Sequence, residues 1–568
     1  MSVPVTVAAL TALVAAVGAL SLLWSPRAEA CARLTPRPMR EPRNTPVIGG
    51  EFISAAAFLG TAGLALAYGA GMLWLPVGAA AGHVLLQVFV TAPLRRSGAF
   101  TLTGFAEWRL GSRAVRRAAG VCVCVTGWFC LLPQLESAGI ALRVLAGPPA
   151  WVGRTAVIVV ALSIVLAGGM RGLTAGRAFR CWFRLVAMAV PVVALLALWH
   201  LGLTAGQGRP QPPRFAQETT VAIDLDVAIR VLAGTGIEIA GVLDGRRHDG
   251  ARVVLEPGTH VLEEGARLVF PAGARVPRPA PAPEPGGDVW AAPFGRGDHP
   301  LFTTYSVVLS VLLGTMGLPH AVGCFSAHAC GRAARRTAAL VPALLGLFCV
   351  LPALYGALGR LYTPGLLMTG DGDATVLMLP HRLAPGPAGS FLTGLVAAAA
   401  FAAFAAASCC AVVAIAGTVS HCGPRGGAGA FRLGAVVAVA VPLALVAWVR
   451  PLGPAGLVTL GCTVSACSLC PLLVLGLWWR RLTPVGAVAG LAAGCSLAVL
   501  AALTHLAGAV RGGWPGAVLA QPTVAIVPVT FAVMVGVSLL TPLRVPPGVD
   551  RAMARLHLPE GLTTDRAR

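Results

Sequence analysis

Apolar runs of about 20 residues, the length that crosses a hydrocarbon core, recur along almost the whole chain and are separated by short polar turns. About 13 of them are expected to span a membrane as helices, starting near residues 4, 48, 71, 119, 151, 183, 303, 337, 389, 433, 454, 484 and 521. The run from Ile48 to Gly63, IGGEFISAAAFLGTAG, departs from the pattern, because glycines, a carboxylate and small polar residues interrupt it. Lipid offers no hydrogen bonds to a free backbone. A helix broken at membrane depth therefore has to face protein or a water-filled cavity, which is the setting of a solute site.

The first run is flanked by Ala28 to Cys31, a stretch with the look of a processing site. No positive charge precedes the run, so it reads as a span and not as a cleaved signal peptide. One long polar segment, from about 205 to 300, breaks the series of spans. Its first half alternates (VAIDLDVAIRVL) and is rich in turns, which predicts a few strands or a small β-rich cap. Its second half, RPAPAPEPGG, is a Pro-rich linker with no capacity to form a core. The expectation is an extracytoplasmic insert of modest order. No cysteine lies in it, so no disulfide holds it.

Composition agrees with the membrane setting: 56% of the 568 residues are hydrophobic, 11% are charged and the mean hydropathy is +0.78. The net charge of +21 comes entirely from arginine, since the chain has no lysine. Arginines cluster at 27 to 43, 95 to 117, 171 to 180, 332 to 336, 480 to 481 and beyond Arg544. Threading 13 spans makes these alternate loops. The positive-inside rule then puts the N-terminus outside and the C-terminus in the cytoplasm of a multi-pass cell-membrane protein. The charge reports topology, and no nucleic-acid partner is expected.

The 15 cysteines, with Cys122/Cys124 and Cys409/Cys410 the closest pairs, lack metal-ligand spacing and read as small apolar fillers. Two acidic residues enter the membrane proper, Glu51 and Glu136. Intramembrane carboxylates are costly, so each is a candidate coupling acid, with pairing to an arginine as the structural alternative; Arg43 is within reach of Glu51. The spans hold no His/Glu metal motif, Ser/Lys dyad or other nucleophile constellation, so an enzyme is not expected and no cofactor is called for.

Four segments together resemble the sodium:solute symporter family, and within it the cation/acetate (monocarboxylate) branch. They are GGEFISAAAFLG (Gly49 to Gly60), GAFTLTGFAEWRLGSRAVRRAAG (Gly98 to Gly120), GTMGLPH (Gly314 to His320) and Phe391 to His421 with its run of small residues. The resemblance covers about 45 to 205 and 300 to 500. It implies an all-α polytopic membrane protein with a LeuT-type 5+5 inverted-repeat core, spans 2 to 6 and 7 to 11. The interrupted segments GGEFISAAAFLGTAG and GTMGLP then fall at corresponding places in the two repeats. The division is 1–47 (first span and loop), 48–204 (first repeat), 205–300 (insert), 301–480 (second repeat) and 481–568 (two accessory helices and a basic tail).

Carried over by position, the resemblance implies a cation between the carbonyls of Gly50 and Ile53 and the ninth-span positions Ala403, Ala406 and Ala407. Alanines at 406 and 407 lack the hydroxyls of many sodium-coupled relatives, so sodium and proton coupling both stay open. Ser408 is adjacent but faces about 100° away on a regular helix. Candidate contacts to an anionic solute are Ser54, Ala57, Phe58, Gln134 and Thr315. Alanines at 56 and 57 leave no hydrogen-bonding pair for a sugar and suit a small carboxylate. Cys324 replaces the arginine that follows GLPH in the branch, and the polar stretch after Gly168 to Met170 becomes RGLTAGR. The expected function is cation-coupled symport of a small monocarboxylate such as acetate by alternating access. The alternatives are a transporter-derived sensor or scaffold, or a symporter for another small organic solute. The expected partners are a small organic anion, a coupling cation and the bilayer.

Overall fold

The computed structural model describes residues 56–99, 101–174, 177–201, 214–215, 218–223, 227–263, 265–279, 299–320, 322, 331–363, 366, 372–384, 386–422, 427–446, 453–507 and 513–558. Among these residues, nine helices are long and apolar enough to cross a membrane, and three shorter apolar helices accompany them. One begins close to each expected start from 48 onward. The expected first span and the Pro-rich linker from 280 on lie outside the described residues, as do Gly50, Glu51, Ile53, Ser54, Arg43 and Cys324.

The first described element is a π turn, Ala56–Gly60, which runs into helix α1 (Thr61–Tyr68). There follow α2 (Ala70–Ser97), the short α3 (Leu102–Leu110), α4 (Arg113–Ala146), α5 (Ala150–Thr174) and α6 (Arg177–His200). Local signals set the ends of α3. Thr101 Oγ1 accepts from the Gly104 amide at 3.0 Å, and Gly111 terminates the helix at φ +61°. After the insert come α7 (Pro300–Gly317), α8 (Gly331–Tyr362), a 3₁₀ turn Gly372–Ala374, α9 (Thr375–Leu383), α10 (Pro387–Cys422), α11 (Ala428–Leu445) and α12 (Gly453–Trp478). The series ends with α13 (Pro484–Leu506), α14 (Gly513–Ala520), α15 (Thr523–Leu540) and α16 (Val549–His557).

In lipid there is little hydrophobic drive between helices, so close approach at small residues and interhelical hydroxyl bonds must hold the bundle. Both are present. The apolar window of α12 is 89% buried against 28% for α2, which makes α12 the central helix. Ser310 of α7 and Thr463 of α12 share a hydrogen bond at 2.8 Å, and Thr523 of α15 donates to Thr463 at 3.3 Å. The Ala-rich α10 lets its neighbours in: a Cβ at Gly434 of α11 would come within 2.9 Å of the Ala416 Cα.

The insert is more ordered than the sequence suggested. Strands β1 (Thr219–Ala222), β2 (Val227–Val231), β3 (Thr235–Leu243), β4 (Arg246–Leu255), β5 (Gly258–Leu262), β6 (Arg267–Phe270) and β7 (Arg278–Pro279) form one antiparallel sheet. Its order is β1-β6-β3-β5-β2-β7, with β4 on β3. Ile229, Ile239, Leu262, Leu268 and Phe270 are fully buried in a core of its own, and Phe215 stacks on Phe270 at 4.9 Å. Each such side chain contributes about 1.5–3 kcal/mol by leaving water. Asp244 (φ +49°) and Gly245 (φ +74°) supply the two left-handed positions that close the β3–β4 hairpin tightly. Arg214 and Arg275 pair as an isolated bridge, and the chain then runs on into β7 on β2.

Candidate functional site

Two irregularities mark the centre of the bundle. The π turn Ala56–Gly60 opens the described part of the second expected span, within the singled-out run, and continues into α1. In the other repeat, α7 stops at Gly317 and Leu318 is extended (φ −60°, ψ 120°), inside GTMGLPH. Ser465 of α12 donates its hydroxyl to the Gly314 carbonyl at 2.8 Å, so the end of α7 is tied to the central helix. Gly314 and Gly317 make that approach possible, because a Cβ on either would run into α12 at Cys462 or Ser465.

The side chains named from sequence do not form a single cluster. The backbone of Ala57 lies in the π turn. Phe58 is fully buried against Phe348 (5.4 Å between ring centroids) and edge-on to Tyr355 (5.8 Å) of α8. Tyr355 in turn donates its hydroxyl to the Met188 carbonyl of α6 at 3.1 Å. Phe58 thus anchors the broken span to α8 and α6. Thr315 is buried, but its hydroxyl donates to the Val311 carbonyl at 2.6 Å and its Cβ lies against Gly82 of α2. Ala403 is buried, while Ala406 and Ala407 are half-buried.

Gln134 has a different environment. It is 3% exposed on α4, and its Oε1 has no hydrogen-bond partner. The Ser137 hydroxyl, one turn away, and the Ser408 hydroxyl on α10 are also buried without partners. The packing of α4 on α10 relates them. Gly120 lies against Thr418 and Cys422, and Gly127 against Ile415, so the two helices run antiparallel. Seven residues on from Gly127 is Gln134, and seven back from Ile415 is Ser408. Two helical turns return each to the same stripe, which brings Gln134 and Ser408 to one level on facing sides. Each unsatisfied buried polar atom costs about 1–3 kcal/mol, so three on one seam are a standing call for a polar guest.

Glu136 points elsewhere. Its carboxylate accepts a 2.7 Å hydrogen bond from Arg154 Nη2 of α5, with both side chains at or below 10% exposure. Gly139 and Gly153 bring the two helices together beside the pair: a Cβ at Gly139 would lie 2.9 Å from the Ala150 carbonyl oxygen. Of the two readings open for this acid, the arginine-paired one is what the geometry contains. Arg154 was legible as the lone cation early in an apolar run. Ser137 and Ser408 carried no motif, and only the helix register brings them to the seam.

Nine long apolar helices packed around a central α12 define the class: a multi-pass helical membrane protein with a LeuT-type fold. The family implied by the motifs is the one that matches, since the sodium:solute symporter family model aligns with residues 34–205. An uncharacterized symporter of Cupriavidus necator is 26% identical, covering 90% of this chain and 88% of its own. A monocarboxylic acid transporter of Corynebacterium glutamicum is 24% identical, covering 83% and 77% respectively. Among solved structures, a Na⁺-coupled sialic acid symporter in a substrate-bound outward-open state superposes with a TM-score of 0.61 at 12% identity. It covers 95% of this chain and 98% of its own, and the likeness is one of fold.

Proposed function

We propose that the chain is a secondary transporter that carries a small monocarboxylate such as acetate in symport with a cation, by alternating access around the broken helices. The observation that carries this reading is the seam of unpartnered polar atoms at Gln134, Ser137 and Ser408. Ser137 and Ser408 offer hydroxyl donors to a carboxylate, and the unpartnered Gln134 Oε1 offers an acceptor to the cation that accompanies it, a set too sparse for a sugar. The monocarboxylic acid transporter of C. glutamicum supports the solute class. Backbone carbonyls of Gly50 and Ile53 with the Ala403, Ala406 and Ala407 stretch are the proposed cation path, with sodium or a proton as the coupling ion. The arginine pattern favours an outside N-terminus and a cytoplasmic C-terminus.

The test is uptake of radiolabelled acetate and pyruvate by proteoliposomes under a sodium gradient, a proton gradient or neither. Stimulation by sodium means that the alanine-bearing ninth span still leaves enough oxygen ligands. Uptake driven by protons alone means a carboxylate symporter without a sodium site. Binding of acetate without uptake under any gradient overturns the transport reading and leaves a sensor.

A further inference from the structure

A cavity of about 840 Å³ lies where the last described segment folds back onto α3. Arg109, Arg544, Arg551 and Arg555 line it with Trp108 and Gly548, and among the described residues no carboxylate does. Four cations around one cavity repel one another, and the field they sum to attracts an anion.

The walls are fixed. Arg96 Nη1 at the end of α2 donates to the Leu556 carbonyl at 2.8 Å, and Arg555 Nε donates back to the Arg96 carbonyl at 3.0 Å. Met553 and Leu556 are buried under α16, and the Arg555 guanidinium sits 5.8 Å over the Trp108 ring. Arg109 is 2% exposed. Its Nε and Nη2 donate to the carbonyls of Gly476 (3.0 Å) and Trp479 (3.2 Å), whereas its Nη1 is buried with no acceptor. Burial lowers its pKa to about 10, the mark of a cation short of counter-charge.

We infer that this cavity binds a phosphate-bearing anion, held by Arg544, Arg551 and Arg555 and drawn by the charge of the buried Arg109 behind them. Guanidinium forks match the several oxygens of a tetrahedral phosphate, and the amides at the start of α16 add partial positive charge. The cavity lies between α3, the start of α13 at Pro484 and α16, next to the turn after the membrane-length α12 that Arg109 is bonded to, so a lipid phosphate and a free phosphate are the two sources of this chemistry.

The experiment uses purified, delipidated full-length protein in two arms. Native mass spectrometry compares retention of phosphatidylglycerol with phosphatidylcholine, and thermal melting follows inorganic phosphate against chloride at equal ionic strength. Arg544→Gln with Arg551→Gln is the informative variant, because both side chains are exposed and their loss leaves the core intact. Preference for phosphatidylglycerol that falls about tenfold or more in the double variant identifies a lipid headgroup. Stabilisation by phosphate without lipid preference, also lost in the double variant, identifies a soluble anion. Equal retention of the two lipids together with no phosphate effect, or a preference unchanged in the double variant, overturns the inference.

Discussion

The carboxylate of Glu136 and the guanidinium of Arg154 meet at 2.7 Å across the α4–α5 interface, buried on both sides. The pair exchanges two costly desolvations for one short charge-assisted bond. Glu136→Gln strands a buried guanidinium and is expected to destabilise the protein by about 3–5 kcal/mol. Glu136→Leu combined with Arg154→Met should recover most of that loss. Thermal melting of the purified variants decides it, and a Glu136→Gln variant that melts like the parent would leave the pair without a structural role.

Ser408→Ala removes a hydroxyl that has no partner in the folded chain. Stability should be unchanged or slightly raised, because an unsatisfied buried donor disappears. Acetate uptake should nevertheless fall about tenfold, the loss of one hydrogen bond of about 1.5 kcal/mol to a charged group. Gln134→Leu should behave alike. Uptake kinetics set beside melting curves separate this from a packing role, in which both would move together.

Gly314→Ala places a methyl against the Cys462 backbone at the point where α7 leans on α12. Overpacking of this kind costs about 1–3 kcal/mol. Because Ser465 ties the same turn to α12, the variant should also slow uptake more than its melting loss explains. Ala at Gly346, which meets nothing, is the control and should leave both readouts alone.

In the insert, His260 Nδ1 and Asp244 Oδ2 lie 2.7 Å apart, and Asp244 Oδ1 accepts from the Val261 amide at 2.7 Å. Burial disfavours both charges, but these bonds outweigh it, raising the imidazole above its ordinary 6.5 and lowering the carboxyl below its ordinary 3.8. The contribution of His260 is complete below 6.5 and is lost as pH rises through its raised value. That of Asp244 is complete above 3.8 and is lost as pH falls through its lowered value. The sheet should therefore be firmest between those two pH values. Asp244 is 45% exposed, so solvent screening keeps the effect to at most about 1 kcal/mol. Hydrogen exchange in β3 and β5 against pH, with His260→Asn flattening the profile, checks this.

Much of the bundle was legible because spans in lipid must be long and apolar, and because GTMGLPH departs from that rule where α7 ends, while most of the run Ile48 to Gly63 before its π turn lies outside the described residues. The sheet was only half legible: alternation announced strands, but the pairing of β1 with β6 and β3 with β6 is non-local and leaves no mark in any short window. The site divided in the same way. Gln134 matched a pattern, whereas Ser408 gained meaning only from the contact of Gly127 with Ile415, which fixes where α10 turns its faces. Phe58 and Thr315 show the converse, since side chains next to a break can be committed to holding it. In the basic tail, Met553 and Leu556 dock α16 because its few apolar residues share one face.

The bridge between Arg214 and Arg275 holds together the two ends of the stretch 215–274, which carries six of the seven strands. A stretch whose two ends are paired with each other is interchangeable in principle with a short turn or a foreign domain. Replacing 215–274 with a few glycines and serines should leave the melting of the bundle and the uptake rate unaltered. A drop in either would mean that the module braces the helices beneath it. If neither moves, the sheet is a free position on a working machine, open to a fluorophore or an affinity handle.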